Sequence, residues 1–275
     1  MKFDVLLPTV VFFVAVASVF LYQKFEKKIT GLFEEKKFSV RDAVLMVAGM
    51  GVMVTVMALV PSQAIQILFI AAYSYMLFSL TYIALRRWYL AFFPPVAFLL
   101  CYFLYWELPV FNTFVAIFAV IVTVYLAALF SWKTVWIFAV LLTVMDVIQV
   151  FGTGYMGEYA IKTIELKLPV LLKLPTYPAG GMIGLGLGDV FLAGLLSVQT
   201  ALKKGRRAGI HAAAMIGIAM FVFEIALLNI EFAYFFPATV VVVAGWFASM
   251  GFARLIYLER QASQGRPEES NEQRS

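Results

Sequence analysis

Nine times along its 275 residues the chain runs apolar for about the length of a helix that crosses a lipid bilayer, and short polar links separate the runs. A ~30 Å hydrocarbon core takes about 20 helical residues. Within such a core a spanning segment must satisfy its own backbone hydrogen bonds. The runs fall at residues 5–23, 43–60, 64–85, 88–106, 108–130, 133–153, 180–200, 209–230 and 236–257. They predict an all-α polytopic membrane protein with nine transmembrane helices. Composition agrees, because 13% of residues are charged where a soluble domain carries about 25%. With 63% hydrophobic residues and a mean hydropathy of +0.93, the chain has too little polar surface to dissolve in water.

Basic residues set the orientation. With nine spans, one set of alternate links and the C-terminal end hold Lys24, Lys27, Lys28, Lys36, Lys37, Arg41, Arg86, Arg87, Lys133, Lys203, Lys204, Arg206, Arg207, Arg254, Arg260, Arg266 and Arg274. The opposite set holds Lys2, Lys162, Lys167 and Lys173. Lys and Arg gather in cytoplasmic links, so the N-terminus is expected outside and the C-terminus in the cytoplasm. The same distribution excludes a nucleic-acid partner despite the net charge of +5, since the cations sit in links and form no continuous patch. Cys101 and His211 are each alone, so neither a disulfide nor a metal site is expected, and no cofactor is implied. The first run lacks a basic leader and a small-residue cleavage site, and Lys24, Lys27 and Lys28 follow it, so it reads as a retained helix. The chain divides into a five-helix region (1–131), a four-helix region (132–258) and a polar, disordered tail (259–275).

Two aspartates interrupt the apolar runs. Asp146 sits in LLTVMDVIQVF of the sixth span and Asp189 in GLGLGDVFLAGLL of the seventh. A central Asp costs ~2.5–3.5 kcal/mol on the insertion scale, so such residues mark function. With a rise of about 1.5 Å per residue, Asp146 lies roughly 20 Å from the cytoplasmic edge and Asp189 roughly 13 Å from the outer edge. Both therefore fall near one depth in the outer half of the membrane. Two carboxylates in a low-dielectric site share a proton and titrate as a pair. The ionised member can take a proton from water while the neutral member donates to a carbonyl oxygen, the arrangement that hydrolyses amides in aspartic proteases. Gly184, Gly186 and Gly188 beside Asp189 cost helix stability, ~1 kcal/mol each, and leave room for another backbone. Close helix packing through small residues is the plain alternative. Glu224, in FVFEIALLN, is a third buried acid expected to snorkel, pair with a neighbouring helix or line a water path.

These residues resemble the signal peptide peptidase and presenilin family of intramembrane aspartyl proteases, which carries YD in the sixth helix, GxGD in the seventh and PAL near the start of the ninth. Asp146 opens a DVIQVFGT stretch similar to the signal peptide peptidase sequence, Gly186-Leu187-Gly188-Asp189 satisfies GxGD, and Pro237-Ala238-Thr239 stands where PAL is expected. Met145 replaces the tyrosine and Thr239 the leucine, and neither change is expected to touch a carboxylate. The specific part of the resemblance covers about residues 143–239. Prepilin and preflagellin peptidases also carry GxGD but place their first aspartate early in a shorter chain, and they resemble this one less.

The resemblance implies Asp146 and Asp189 as the catalytic dyad. It implies an active-site wall from Gly186, Leu187, Gly188, Pro237, Ala238 and Thr239. It also implies that Leu168, Pro169, Val170 and Leu171, in the apolar KLPVLLKL link, pair as a strand with an unwound substrate; an interfacial loop or helix is the alternative. Partners would be the bilayer and transmembrane peptides of signal-peptide or type II orientation. The location would be a prokaryotic cell membrane, since the loops are compact and there is no Asn-x-Ser/Thr site. Rival functions are an ion- or proton-coupled transporter with an intramembrane carboxylate pair, which would show inverted repeats that this sequence lacks, and a catalytically silent chaperone of membrane segments.

Overall fold

The computed structural model describes residues 2–31, 37–153, 163–178, 180–230 and 236–264, and 81% of these described residues are helical. Each apolar run holds a helix: α1 (Leu6–Thr30), α2 (Val40–Leu59), α3 (Ser62–Leu85), α4 (Trp88–Ala91) with α5 (Phe93–Leu104), α6 (Leu108–Leu129), α7 (Trp132–Val147), α8 (Leu187–Lys204), α9 (Arg206–Asn229) and α10 (Ala238–Gln264). Among the described residues five helical stretches are long and apolar enough to cross a membrane: Leu6–Thr30, Ser62–Leu85, Leu108–Leu129, Trp132–Gly152 and Arg206–Asn229. The chain is therefore a multi-pass, membrane-embedded helical protein.

The sequence explains most of the breaks. The fourth run splits at Phe92, and α5 restarts with Pro94 in its first turn, where a missing N–H costs nothing. Ser39 and Asp42 close a capping box at the start of α2, satisfying amides that a helix start leaves open. α7 passes directly into a wider π-helical turn, Ile148–Thr153, just after Asp146. The last helix extends to Gln264, so residues 259–264 of the expected disordered tail are helical, while 265–275 lie outside the described residues.

The seventh run departs from expectation. It opens as a strand, β2 (Met182–Gly186), which pairs antiparallel with β1 (Leu171–Pro175). Gly180 and Gly181 have φ of +75° and +116°, a conformation that only glycine enters cheaply, so the chain turns there instead of starting a helix. The KLPVLLKL link thus forms a strand over its second half, with its partner inside the same chain. Asp189 then stands in the first turn of α8, not nine helical residues deep, and the depth assigned by helical rise from Gly180 does not hold. Gly184 and Gly186 lie outside the helix and cost it nothing.

α8 is the axis of the molecule. Every residue from Asp189 to Ala201 is buried, because neighbouring helices cover this stretch. α1, α6, α9, α10 and α7 surround it. α1 therefore packs with the helix that carries Asp189. Small residues allow the close approach: a Cβ on Gly194 would lie 2.9 Å from Thr123 Oγ1 and 3.1 Å from Ser18 Oγ, where α1, α6 and α8 meet. The polar groups of α8 are satisfied from its neighbours. Gln199 donates to the Ala127 carbonyl at 2.8 Å, and the Trp246 indole donates to Thr200 Oγ1 at 2.8 Å.

Candidate active site

α7 and α8 deliver one aspartate each. Asp146 is 5% exposed and Asp189 8%, and their carboxyls are close enough to interact electrostatically. The two residues singled out by cost in the apolar runs are thus brought together by the fold.

Each aspartate has a distinct setting. The Thr239 hydroxyl donates to Asp146 Oδ2 at 2.7 Å in a buried contact. Thr239 is the second residue of α10, and the open amides and dipole of a helix start favour a negative charge. The expectation that the Thr239 departure would leave the carboxylates untouched is therefore wrong. The Met145 sulfur packs on α2, where a Cβ on Gly51 would meet it at 2.9 Å.

Asp189 is approached by backbone. A Cβ on Gly186 would lie 3.1 Å from Asp189 Oδ2, so only glycine lets the strand end pass so close. Gly188 faces open space, and Gly184 makes room for the Leu171 side chain. Leu187 continues the β1–β2 pairing by donating its amide to the Val170 carbonyl at 2.9 Å.

The hairpin has one edge closed. Asn112 of α6 bonds both backbone groups of Lys173, accepting from its amide at 2.9 Å and donating to its carbonyl at 2.5 Å. Lys173 faces Gly184, so their pair is one whose backbone groups point away from each other. By the same alternation the N–H and C=O of Gly184 and Gly186 point to the outer edge of β2. Among the described residues no further strand takes them.

The remaining candidates divide. Pro237 is buried and its carbonyl receives the Val240 amide at 3.1 Å, so it starts α10 and sets Thr239 against Asp146. Ala238 packs on the main core. Leu168 and Val170 place their side chains in a small cluster with Ile65 of α3, and Pro169 is buried; this stretch serves the hairpin through its backbone. Leu171 lies in β1 opposite Gly186. Among the described residues no group of three His, Cys, Asp or Glu side chains could hold a metal ion.

No protein-family model matches this chain and no curated protein matches it, which leaves the geometry of Asp146, Asp189 and Thr239 as the ground for a functional proposal.

Proposed function

We propose that the chain is an intramembrane aspartyl protease that cuts peptide bonds in transmembrane segments with an Asp146/Asp189 dyad and water. The observation that supports this most is the meeting of two buried carboxyls from separate apolar helices, one of them beside an unpaired strand edge. A helical substrate hides its amides, and an unwound one needs new backbone partners. The outward groups of Gly184 and Gly186 supply them, and a strand laid there runs past Asp189.

Asp146, already holding the Thr239 hydroxyl, takes a proton from water. The water oxygen bonds to the substrate carbonyl carbon while Asp189 gives its proton to the carbonyl oxygen. The resulting gem-diol collapses as Asp146 passes its proton to the leaving nitrogen and the C–N bond breaks. Asp189 recovers a proton from the diol, which restores the pair.

Nine spans with the N-terminus outside fit the contacts at both ends. At one end Lys28 Nζ bonds the Ala84 carbonyl, and Phe38 N bonds Leu129 O. At the other, Lys2 N bonds Asn229 Oδ1, and the Trp106 indole bonds the Lys167 carbonyl. These pairings group the links as the charge bias does. That orientation, like the resemblance to signal peptide peptidases, points to substrates of type II orientation and to a prokaryotic cell membrane.

The test is incubation of the purified protein, in detergent or lipid, with a labelled type II transmembrane peptide. Cleavage should vanish in Asp146→Asn and in Asp189→Asn. Unchanged product in either single variant refutes the dyad, and ion-dependent uptake without cleavage favours the transporter.

A further inference from the structure

A second pair of carboxyls lies outside the dyad, where the N-terminal segment meets α9 and the turn between the two strands. Asp4 is 0% exposed and Glu224 1%. Asp4 organises the region: its Oδ1 accepts from the amides of Leu6 at 3.1 Å and Tyr177 at 2.7 Å, and its Oδ2 accepts from Leu7 at 3.2 Å. Asp4 thereby caps α1 and ties down the hairpin turn, which a bridge to Pro178 and a bond from Val5 N to Tyr177 O at 3.0 Å reinforce. Beside it the Asn229 side chain and the Lys2 backbone bond each other, holding the segment to the end of α9.

Glu224 projects from α9 into this junction. Both its oxygens are buried and, among the described residues, receive no hydrogen bond from a protein donor, yet its carboxyl lies within hydrogen-bonding reach of Asp4. Two carboxylates in contact, with no donor between them, lack the positive charge that such a contact requires. Asp4 is the ionisable group that acts on Glu224 among the described residues; none reaches it from α1, α8 or α10, which pack on α9. The Lys2 side chain and the Tyr177 ring are exposed.

Counting lone pairs identifies the missing charge. A carboxylate offers about four acceptor sites, and the three amides leave Asp4 one, on Oδ2. One acceptor suits one O–H donor. A hard metal cation seeks about six oxygen ligands, and no third acid, Cys or His joins the pair among the described residues.

We propose that Asp4 and Glu224 hold a single proton between them, donated by the Glu224 carboxyl to Asp4 Oδ2, and that this proton latches the N-terminal segment and the hairpin turn onto α9. The latch steadies the hairpin that leads into Asp189. When alkali withdraws the proton, two like charges meet in a buried site and the junction opens. This holds whether or not the chain is a protease.

The experiment uses the full chain carrying Asp146→Asn and Asp189→Asn, which silences the dyad's own carboxyl signals, in lipid nanodiscs. Infrared spectroscopy at neutral pH should show the carbonyl band of a protonated carboxyl, and adding Glu224→Gln should remove it. Hydrogen exchange should show protection of the Leu6, Leu7 and Tyr177 amides falling about tenfold from neutral to alkaline pH, after correction for intrinsic rates. In Glu224→Gln, whose amide donates to Asp4 at every pH, that fall should be absent. A missing band, a band that survives Glu224→Gln, or an equal alkaline loss in that variant overturns the proposal. Should Glu224→Gln not accumulate folded, the parent chain decides: band and protection lost together support the latch, and protection unchanged through loss of the band overturns it.

Discussion

Thr239 Oγ1 donates to Asp146 Oδ2 across 2.7 Å in a buried contact between α10 and α7. It joins helix starts and ends that are 93 residues apart, and it gives the two aspartates unequal surroundings. Thr239→Val keeps the shape and removes the donor. A hydrogen bond to a charged group contributes about 2 kcal/mol, so proteolysis should fall roughly thirtyfold. Thr239→Ser should restore most of it. Equal rates for Val and Ser would show that the hydroxyl does not serve the dyad.

Gly186 and Gly188 should respond differently to the same methyl group. In Gly186→Ala the new Cβ meets Asp189 Oδ2 at 3.1 Å, tighter than ordinary contact, and displaces the carboxyl, so cleavage should drop at least about tenfold for a shift on the scale of an ångström. In Gly188→Ala the Cβ enters open space within the first turn of α8. There alanine should stabilise the helix by up to ~1 kcal/mol, visible as a raised Tm in detergent. A lowered Tm for Gly188→Ala would contradict the open space at that position.

Asn112 closes the outer edge of β1 through both backbone groups of Lys173. Asn112→Leu removes two hydrogen bonds of about 1 kcal/mol each and frees that edge. Cleavage of a transmembrane peptide should weaken several-fold while Asp146 and Asp189 stay in place. A variant with wild-type KM and kcat would show that the hold of Asn112 on β1 plays no part in positioning the β2 edge for substrate.

In the proposed mechanism the dyad works with one proton, which sets the form of the pH–rate profile. In acid both Asp146 and Asp189 carry protons and no base remains. In alkali both are ionised and no acid remains. The rate should therefore rise and then fall with pH in a bell whose two limbs belong to the pair. A profile flat from acid to alkali would count against paired-carboxyl chemistry.

Gly194 faces Thr123 and Ser18 at the meeting of three helices. Gly194→Val should overpack that point, costing about 1–3 kcal/mol, and reduce the folded yield measured by size-exclusion chromatography. Gly51→Ala is milder, because the flexible Met145 side chain it meets can move aside. Equal yields for both would place the tight junction elsewhere.

The helical, membrane-embedded character and the two aspartates were legible before any coordinates. Apolar runs of bilayer length leave the backbone few options, and a carboxylate inside such a run stands out by its cost. Three features were harder to read. The GMIGLG stretch is apolar enough to pass for the start of a span, and only its pairing with Leu171–Pro175 makes it a strand. Thr239 registered as a departure from a motif; that a polar residue at a helix start was facing a carboxyl depended on how α10 packs against α7. Nothing in the sequence singles out Asp4, because its partner Glu224 lies 220 positions away.

What the sequence determined by itself is the solvent and the costly residues: hydropathy is a local sum, so it can be read along the chain. What only the tertiary structure decided is which costly residues meet. Asp146 with Asp189 and Thr239, and Asp4 with Glu224, become neighbours through the close packing of helices around α8. That packing depends on shape, on glycines that admit a neighbouring helix or strand, and on the turn at Gly180 and Gly181 that delays the helix until Leu187. None of these is a property of one segment alone.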